Sequence, residues 1–287
     1  MLTVNIFDHT CQHHLKDYGY WMSTDKRIPK TINFLQKQYE FDGITLFTDD
    51  YILSPEVDRV NSKLKVAWCL ESPAVKPHVH NNLELVEDKF DYIFTYRNDL
   101  IEKKPTKYKP NSPGGTWLTD HDIFREEEKT KLCSMILSGK KDLEGHKLRH
   151  KIQDSIIGVD YFGWGSRSGV NISNKADAMK SYMFHITIEN TRHYHYFSEK
   201  LVDCLLMKCI PIYWGCLNIN DYFNTEGFYI INEFNDLKEL VQQLKNPKEV
   251  YGSKRDIIEE NFELAKKHIS SDDYFASKLI KLQDGLK

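Results

Sequence analysis

Between Glu189 and Lys200 the chain gathers Asn190, Tyr194, Tyr196, Glu199 and Lys200, a set of hydrogen-bonding and charged side chains that can hold an anion. The flanking sequence says where such a set would sit. Tyr182 to Ile188 is a β-branched and aromatic run and reads as a strand. Ser198 is placed as a helix N-cap, and Leu201, Val202, Leu205 and Leu206 recur at helical spacing behind it. Cys209 to Tyr213 forms a second apolar strand, broken at Trp214-Gly215. A strand, a polar loop, a helix and a strand make one unit of a parallel α/β sheet, whose ligands lie at strand carboxyl ends against helix N-termini. Lys200 is electrostatically odd in that place, because the macrodipole favours Glu199 there and disfavours a cation. A bound diphosphate would explain it; a side chain pointing into water would explain it equally well.

Other chemistry-bearing residues read more plainly. His9, His13 and His14 cluster near the start without a matching Cys or carboxylate set, so they are expected to be loop residues, not metal ligands. Asp120-His121-Asp122 has the D-x-D form that holds cations in many sugar transferases, but it lies in a loop outside the strand–helix unit and reads as structural. No metal site is expected. The six cysteines, Cys11, Cys69, Cys133, Cys204, Cys209 and Cys216, form no C-x-x-C pair, and free buried thiols in a reducing compartment are expected.

The remaining elements supply the scaffold. Strands are expected at Leu2 to Phe7, Ile44 to Phe47, Lys65 to Leu70 and Phe90 to Thr95, with a helix suggested by Ile32, Phe34, Leu35 and Tyr39. A Pro- and Gly-punctuated stretch from Lys103 to Gly115 and the charge run Arg125 to Lys131 then mark a boundary. Domains of 1–128 and 129–287 follow. The second contains strands at Leu132 to Ser138, Val159 to Phe162 and Gly227 to Ile231. Its helices are expected at Gly145 to Ile157, Leu237 to Leu244 and Ile257 to His268, with a Gly-rich turn at Gly163 to Gly169. The fold class is α/β.

Composition narrows the function. The chain has 287 residues, 40% hydrophobic and 28% charged, an ordinary globular balance with room for two domains. A formal net charge of −3 argues against a nucleic-acid partner. No apolar run approaches the roughly 20 residues of a membrane span, and MLTVNIFDHT lacks the regions of a signal peptide. Taken as full length, the sequence suggests a cytoplasmic protein with at most peripheral membrane contact through its Lys-rich end, Lys266 to Lys287.

The pattern I-E-N-T-x-x-Y-x-Y-x-S-E-K, followed by a helix and I-P-I-Y-W-G, resembles the donor-binding signature of the α-1,3-fucosyltransferases, glycosyltransferase family 10, and most of all its bacterial soluble members. L-R-H-K-I-Q-D with V-D-Y-F-G, and W-C-L-E-S-P, resemble further stretches of that family. F-D-Y-I-F-T-Y-R resembles the family stretch before the acceptor-side loop and would turn Arg97 toward the cleft. The resemblance implies a GT-B type fold, two Rossmann-like domains facing across a cleft. It implies inverting transfer of fucose from GDP-fucose to a hydroxyl of an oligosaccharide or glycoconjugate acceptor. Glu71 falls on the family's proposed general base, and Arg149 on the arginine that contacts the donor diphosphate. Asn190, Tyr194, Tyr196, Glu199 and Lys200 fall on donor-pocket positions, with Arg167 a weaker second phosphate candidate. Read from residue chemistry alone, Arg149 could equally be a helix-surface arginine and Glu71 a turn residue before Pro73. No cofactor is required on this reading, and Mn²⁺ or Mg²⁺ would at most stimulate. His193, His195, Ile188 and Gly139 depart from the family pattern and bear on the sugar and the acceptor more than on the fold. Two rivals stay open, the same fold with another nucleotide sugar and a catalytically silent glycan-binding protein.

Overall fold

A computed structural model describes residues 1–9, 13–15, 19–21, 27–111, 114–243 and 246–284. The chain divides into two α/β units. The first comprises residues 1–115, 193–196 and 270–287, and the second residues 116–192 and 197–269.

The first unit is built on an eight-stranded sheet. Its strands are β1 (Leu2–Phe7), β2 (His13–Leu15), β3 (Gly19–Trp21), β4 (Ile32–Gln36), β5 (Glu40–Thr48), β6 (Asn61–Trp68), β7 (Tyr92–Thr95) and β8 (Tyr108–Pro110). The order is β2-β3-β4-β1-β5-β6-β7-β8, parallel from β4 to β8, with β2 and β3 added as an antiparallel hairpin. Both faces are apolar: Val4, Ile6, Phe34, Leu46 and Trp68 pack on one side, and Phe7, Phe47, Ala67 and Ile93 on the other. This double burial is what parallel strands require. Asn5, buried within β1, is satisfied by the Gln38 backbone and the Thr45 hydroxyl.

Three expectations are corrected here. The segment around Ile32 to Tyr39 is strand β4, not a helix. Ile32 and Phe34 are buried while Leu35 and Tyr39 are exposed, so the true period is two and the helical spacing was coincidental. His13 and His14 lie in β2 rather than in a loop, although Cys11 and the histidine side chains fall outside the described residues. The domain boundary also differs from 128/129. Residues 116–128 pack in the second unit, where Thr116 donates to the buried Asp203 carboxylate. The last helix, Ser271–Asp284, belongs to the first unit, with Phe275 stacked on Trp68 at 3.7 Å and Asp273 accepting from the Lys30 and Thr31 amides.

The second unit is a five-stranded, all-parallel sheet in the order β10-β9-β11-β12-β13. Its strands are β9 (Lys131–Ile136), β10 (Asp160–Phe162), β11 (Tyr182–Ile188), β12 (Ile210–Trp214) and β13 (Tyr229–Ile230). Every residue of the central β11 is buried, as both-face coverage demands. Helices Glu144–Ser155 and Glu199–Leu206 follow β9 and β11. Trp214, read as the break after the strand, is its last residue. Helix Phe234–Gln243 matches the expected 237–244 helix as far as Gln243; Leu244 lies outside the described residues. Cys69, Cys133, Cys204, Cys209 and Cys216 are buried and form no disulfide. Among the described residues no helix is long and apolar enough to cross a membrane.

Candidate functional site

The second unit holds a cavity of about 280 Å³ against the carboxyl-terminal half of β11. Four of the expected donor-side residues, Arg149, Asn190, Glu199 and Lys200, line it together. Their positions follow from one buried carboxylate. Glu189, fully buried at the end of β11, accepts from the Ser198 amide at 2.9 Å and the Ser198 hydroxyl at 2.6 Å. Ser198 in turn caps helix Glu199–Leu206, which carries Glu199 and Lys200. Two glycines make room for this arrangement. A Cβ on Gly145 would lie 1.8 Å from the Glu189 carbonyl oxygen, and one on Gly215 would lie 2.6 Å from Glu189 Cγ. The close approach at Gly145 lets its amide donate to the Asn190 carbonyl at 3.0 Å, fixing helix Glu144–Ser155 against the loop. From that helix, Arg149 reaches over and donates through Nη2 to Asn190 Oδ1 at 2.6 Å.

Charge in the cavity wall is paired. Lys200 does not point into water: its Nζ lies 3.0 Å from Ser198 Oγ, 3.2 Å from Glu199 Oε1 and 3.8 Å from Glu189 Oε2. Burial works against its charge, but the two carboxylates outweigh that effect and raise its pKa. Burial likewise pushes Glu199 up, yet Lys200 and Lys175 hold it well below the usual carboxylate range. Glu199 is therefore an anion that can only accept hydrogen bonds, while the Glu189 carboxyl is raised by burial despite Lys200.

The sequence did not single out several residues of the wall. Lys140, His146, Lys175, His185 and Asp203 all line the cavity. Lys175 Nζ lies 3.4 Å from both Glu199 Oε1 and Asp203 Oδ2 and sits over the Trp117 ring. Asp203, buried one helical turn beyond Glu199, also accepts from Thr116 Oγ1 and the Trp117 amide, and burial pushes its pKa up to about 6. The i, i+4 relation between Glu199 and Asp203 was a usable signal. Lys175 and His185 had none, one opening the short 3-10 helix Lys175–Ala178 and the other lying in an apolar strand.

Other expected residues lie elsewhere. Tyr194 and Tyr196 do not line this cavity and belong to the first unit, where Tyr196 packs edge-on against Tyr96 at 5.3 Å. Glu71, also in the first unit, has an exposed side chain on a well-held backbone. Its amide donates to Asp49 Oδ1 at 3.2 Å, and its carbonyl lies 2.9 Å from His80 Nε2. Asp49, which the sequence did not flag, adopts a left-handed φ of 40° to make this contact, and burial raises its pKa to about 6. Arg97 is bound to Asp99 and to the His80 carbonyl, and Arg167 pairs with Asp154 in an exposed bridge. Asp122 closes a capping box with Thr119 and accepts from Asn174, the structural part expected of the D-x-D triplet. Among the described residues no cluster of His, Cys, Asp and Glu has the geometry to hold a metal ion.

Comparison with known proteins bears on this assembly. The family model described as glycosyltransferase family 10 (fucosyltransferase), C-terminal part, matches residues 126–281. The α-(1,3)-fucosyltransferase FucT of Helicobacter pylori is 34% identical over 77 residues, 27% of this chain and 16% of that protein. The mouse (Mus musculus) 4-galactosyl-N-acetylglucosaminide 3-α-L-fucosyltransferase 9 is 25% identical over 178 residues, 61% of this chain and 47% of that protein. The matched chain thus spans less than half the length of these curated relatives. A crystal structure of an α1,3-fucosyltransferase superimposes with a TM-score of 0.52 at 19% identity, covering 86% of this chain and 79% of that one. That likeness carries the fold, α/β of GT-B type. With more than half its length matched by the family model, the chain belongs to glycosyltransferase family 10 (fucosyltransferase).

Proposed function

We propose that the protein transfers fucose from GDP-fucose to a hydroxyl of an oligosaccharide or glycoconjugate acceptor, with inversion at the anomeric carbon. The observation that carries this reading is the convergence of Arg149, Asn190, Glu199 and Lys200 on one cavity of a family 10 chain. Each has work to do there. Arg149 can present two N–H groups to one phosphate and never loses its charge. Lys200 has three N–H donors; two are directed at Ser198 and Glu199, leaving a third for a phosphate oxygen. Held ionised, Glu199 accepts from sugar hydroxyls, and Asn190, oriented by Arg149, offers its amide N–H groups.

In this mechanism Glu71 takes the proton of the attacking acceptor hydroxyl as that oxygen bonds to the anomeric carbon and the bond to GDP breaks. The transition state is an oxocarbenium-like sugar with a departing diphosphate. Arg149 and Lys200, with Lys140 and Lys175 in the same wall, offset the growing negative charge, so no metal is needed and Mn²⁺ or Mg²⁺ only stimulates. Calorimetric titration with GDP, GDP-fucose, GDP-mannose and UDP-glucose, with and without Mn²⁺, tests the donor. Binding of GDP and GDP-fucose without metal is the expected result. Preference for UDP-glucose, or no binding at all, refutes the reading.

A further inference from the structure

Strand β11 carries one side chain that folding alone does not explain. His185 is 5% exposed, set among Phe184, Ile186 and Ile188 on the central strand of the sheet. Burial depresses its pKa to about 3, so the imidazole is neutral.

Its tautomer can be read from its neighbour. Ser134 Oγ donates to the Ala178 carbonyl, which can only accept, and the same Oγ lies 2.8 Å from His185 Nδ1. A hydroxyl has one proton, and here it is committed to Ala178. Nδ1 must therefore carry the imidazole proton and donate to Ser134 Oγ, which leaves Nε2 with a lone pair. Among the described residues nothing donates to Nε2. Nor is Nε2 among the buried polar atoms sealed from solvent-accessible space. His185 forms part of the wall of the 280 Å³ cavity, the accessible space beside this buried ring.

We propose that His185 determines specificity by accepting, at Nε2, a hydrogen bond from an O–H or N–H of the nucleotide sugar bound in this cavity. The inference rests on the reading of the cavity as the donor site. The cations of the wall hold phosphate, whatever nucleoside or sugar is attached to it. A neutral acceptor in a buried strand is different, because a ligand without a donor at that place leaves the lone pair unmet.

The test uses His185→Phe, which keeps the ring and removes the acceptor, and His185→Gln, which returns an acceptor near the Nε2 position. Ser134 keeps its bond to Ala178 in both. Affinity of the Phe variant for GDP-fucose should fall about tenfold, with partial recovery in the Gln variant and melting temperatures close to wild type. A loss that disappears with inosine diphosphate assigns the donor to the base, and one that disappears with 2′-deoxy-GDP assigns it to the ribose. A loss seen with GDP-fucose but not with GDP assigns it to the hexose. Each of these supports the proposal. Binding of every nucleotide within twofold of wild type overturns it and leaves the donor site standing, as does an equal loss for all ligands including pyrophosphate. If the wild type binds none of the nucleotides, the donor reading and this inference fall together. Should His185→Phe fail to fold, ¹⁵N spectra of the wild-type imidazole decide the matter. The Nε2 resonance moves toward the hydrogen-bonded range on addition of GDP-fucose if the proposal holds, and stays put if it does not.

Discussion

Asp203 offers a quantitative check on the electrostatics of the cavity. Its carboxyl is 1% exposed, and burial raises its pKa from the ordinary 3.8 to about 6, against the opposing pull of Lys175 and Thr116. A raised carboxyl pKa means that the folded protein prefers the protonated form. Below the unfolded value of 3.8 both states carry the proton and nothing is lost. Between 3.8 and about 6 the unfolded chain releases the proton while the folded chain retains it, so stability falls as pH rises. At about 1.4 kcal/mol per pH unit, the loss amounts to about 3 kcal/mol once pH exceeds 6.

Asp203→Asn removes this titration while keeping an oxygen to accept from Thr116 Oγ1 and the Trp117 amide, and Lys175 retains Glu199. The stability of the Asn variant minus that of wild type should therefore rise by about 3 kcal/mol between pH 4 and pH 7 and be flat above that. Urea unfolding of both proteins at half-unit pH steps, followed by tryptophan fluorescence, gives this difference directly. Subtraction cancels the other raised carboxyls, Asp49 and Glu189, which are present in both proteins. A difference that stays constant from pH 4 to 8, or rises as pH falls, would show that Asp203 is ionised and stabilising in the fold, and the argument would be wrong in sign.

Three further outcomes are expected. Arg149→Lys should weaken GDP binding at least tenfold in calorimetry despite the conserved charge, because an ammonium cannot hold Asn190 and a phosphate as a planar fork does; near-wild-type affinity would remove Arg149 from the clamp. Gly145→Ala should destabilise the second unit by about 1–3 kcal/mol, read as a shifted unfolding midpoint, since its Cβ would meet the Glu189 carbonyl backbone at 1.8 Å; an unchanged midpoint counts against that close approach. Glu71→Gln should lower kcat by about 10²–10⁴ with GDP-fucose affinity unchanged, and retention of turnover would exclude it as the base.

Much of the second unit was legible because its signals are local. The all-buried strand Tyr182–Ile188, the Ser198 cap and the apolar spacing of 201–206 each follow from short-range rules that tertiary packing did not override. The first unit misled at β4, where Leu35 and Tyr39 gave helical spacing to a segment that alternates in truth. Residues 116–128 and the helix Ser271–Asp284 joined units other than those expected because burial partners distant in sequence decide such matters: Asp203 for Thr116, and Trp68 for Phe275. Tyr194 and Tyr196 were grouped with the donor residues by their place in the loop before Ser198 and by the family resemblance, and they are absent from the cavity wall of the second unit. The contacts of residues 193–196, with Tyr96 and Asn98, are with the first unit.

The conspicuous motif is also a folding device before it is a binding device. Glu189 is wholly buried and directs both oxygens at Ser198. A carboxylate accepting from an amide and a hydroxyl is oriented about two bonds, and through Ser198 it sets where the next helix begins. That start places Glu199 and Lys200 on the cavity wall, and Lys200 near Glu189 partly compensates the buried charge. The glycines at 145 and 215 belong to the same device, since any side chain there would displace Glu189 or its carbonyl. The position of Glu199 and Lys200 relative to Glu189-Asn190 is thus set by the bonds of one buried carboxylate to Ser198, not by the number of residues between them. An insertion in the loop should disturb ligand affinity only if it breaks the Glu189–Ser198 pair, whereas Glu189→Gln should disturb it with the loop length unchanged.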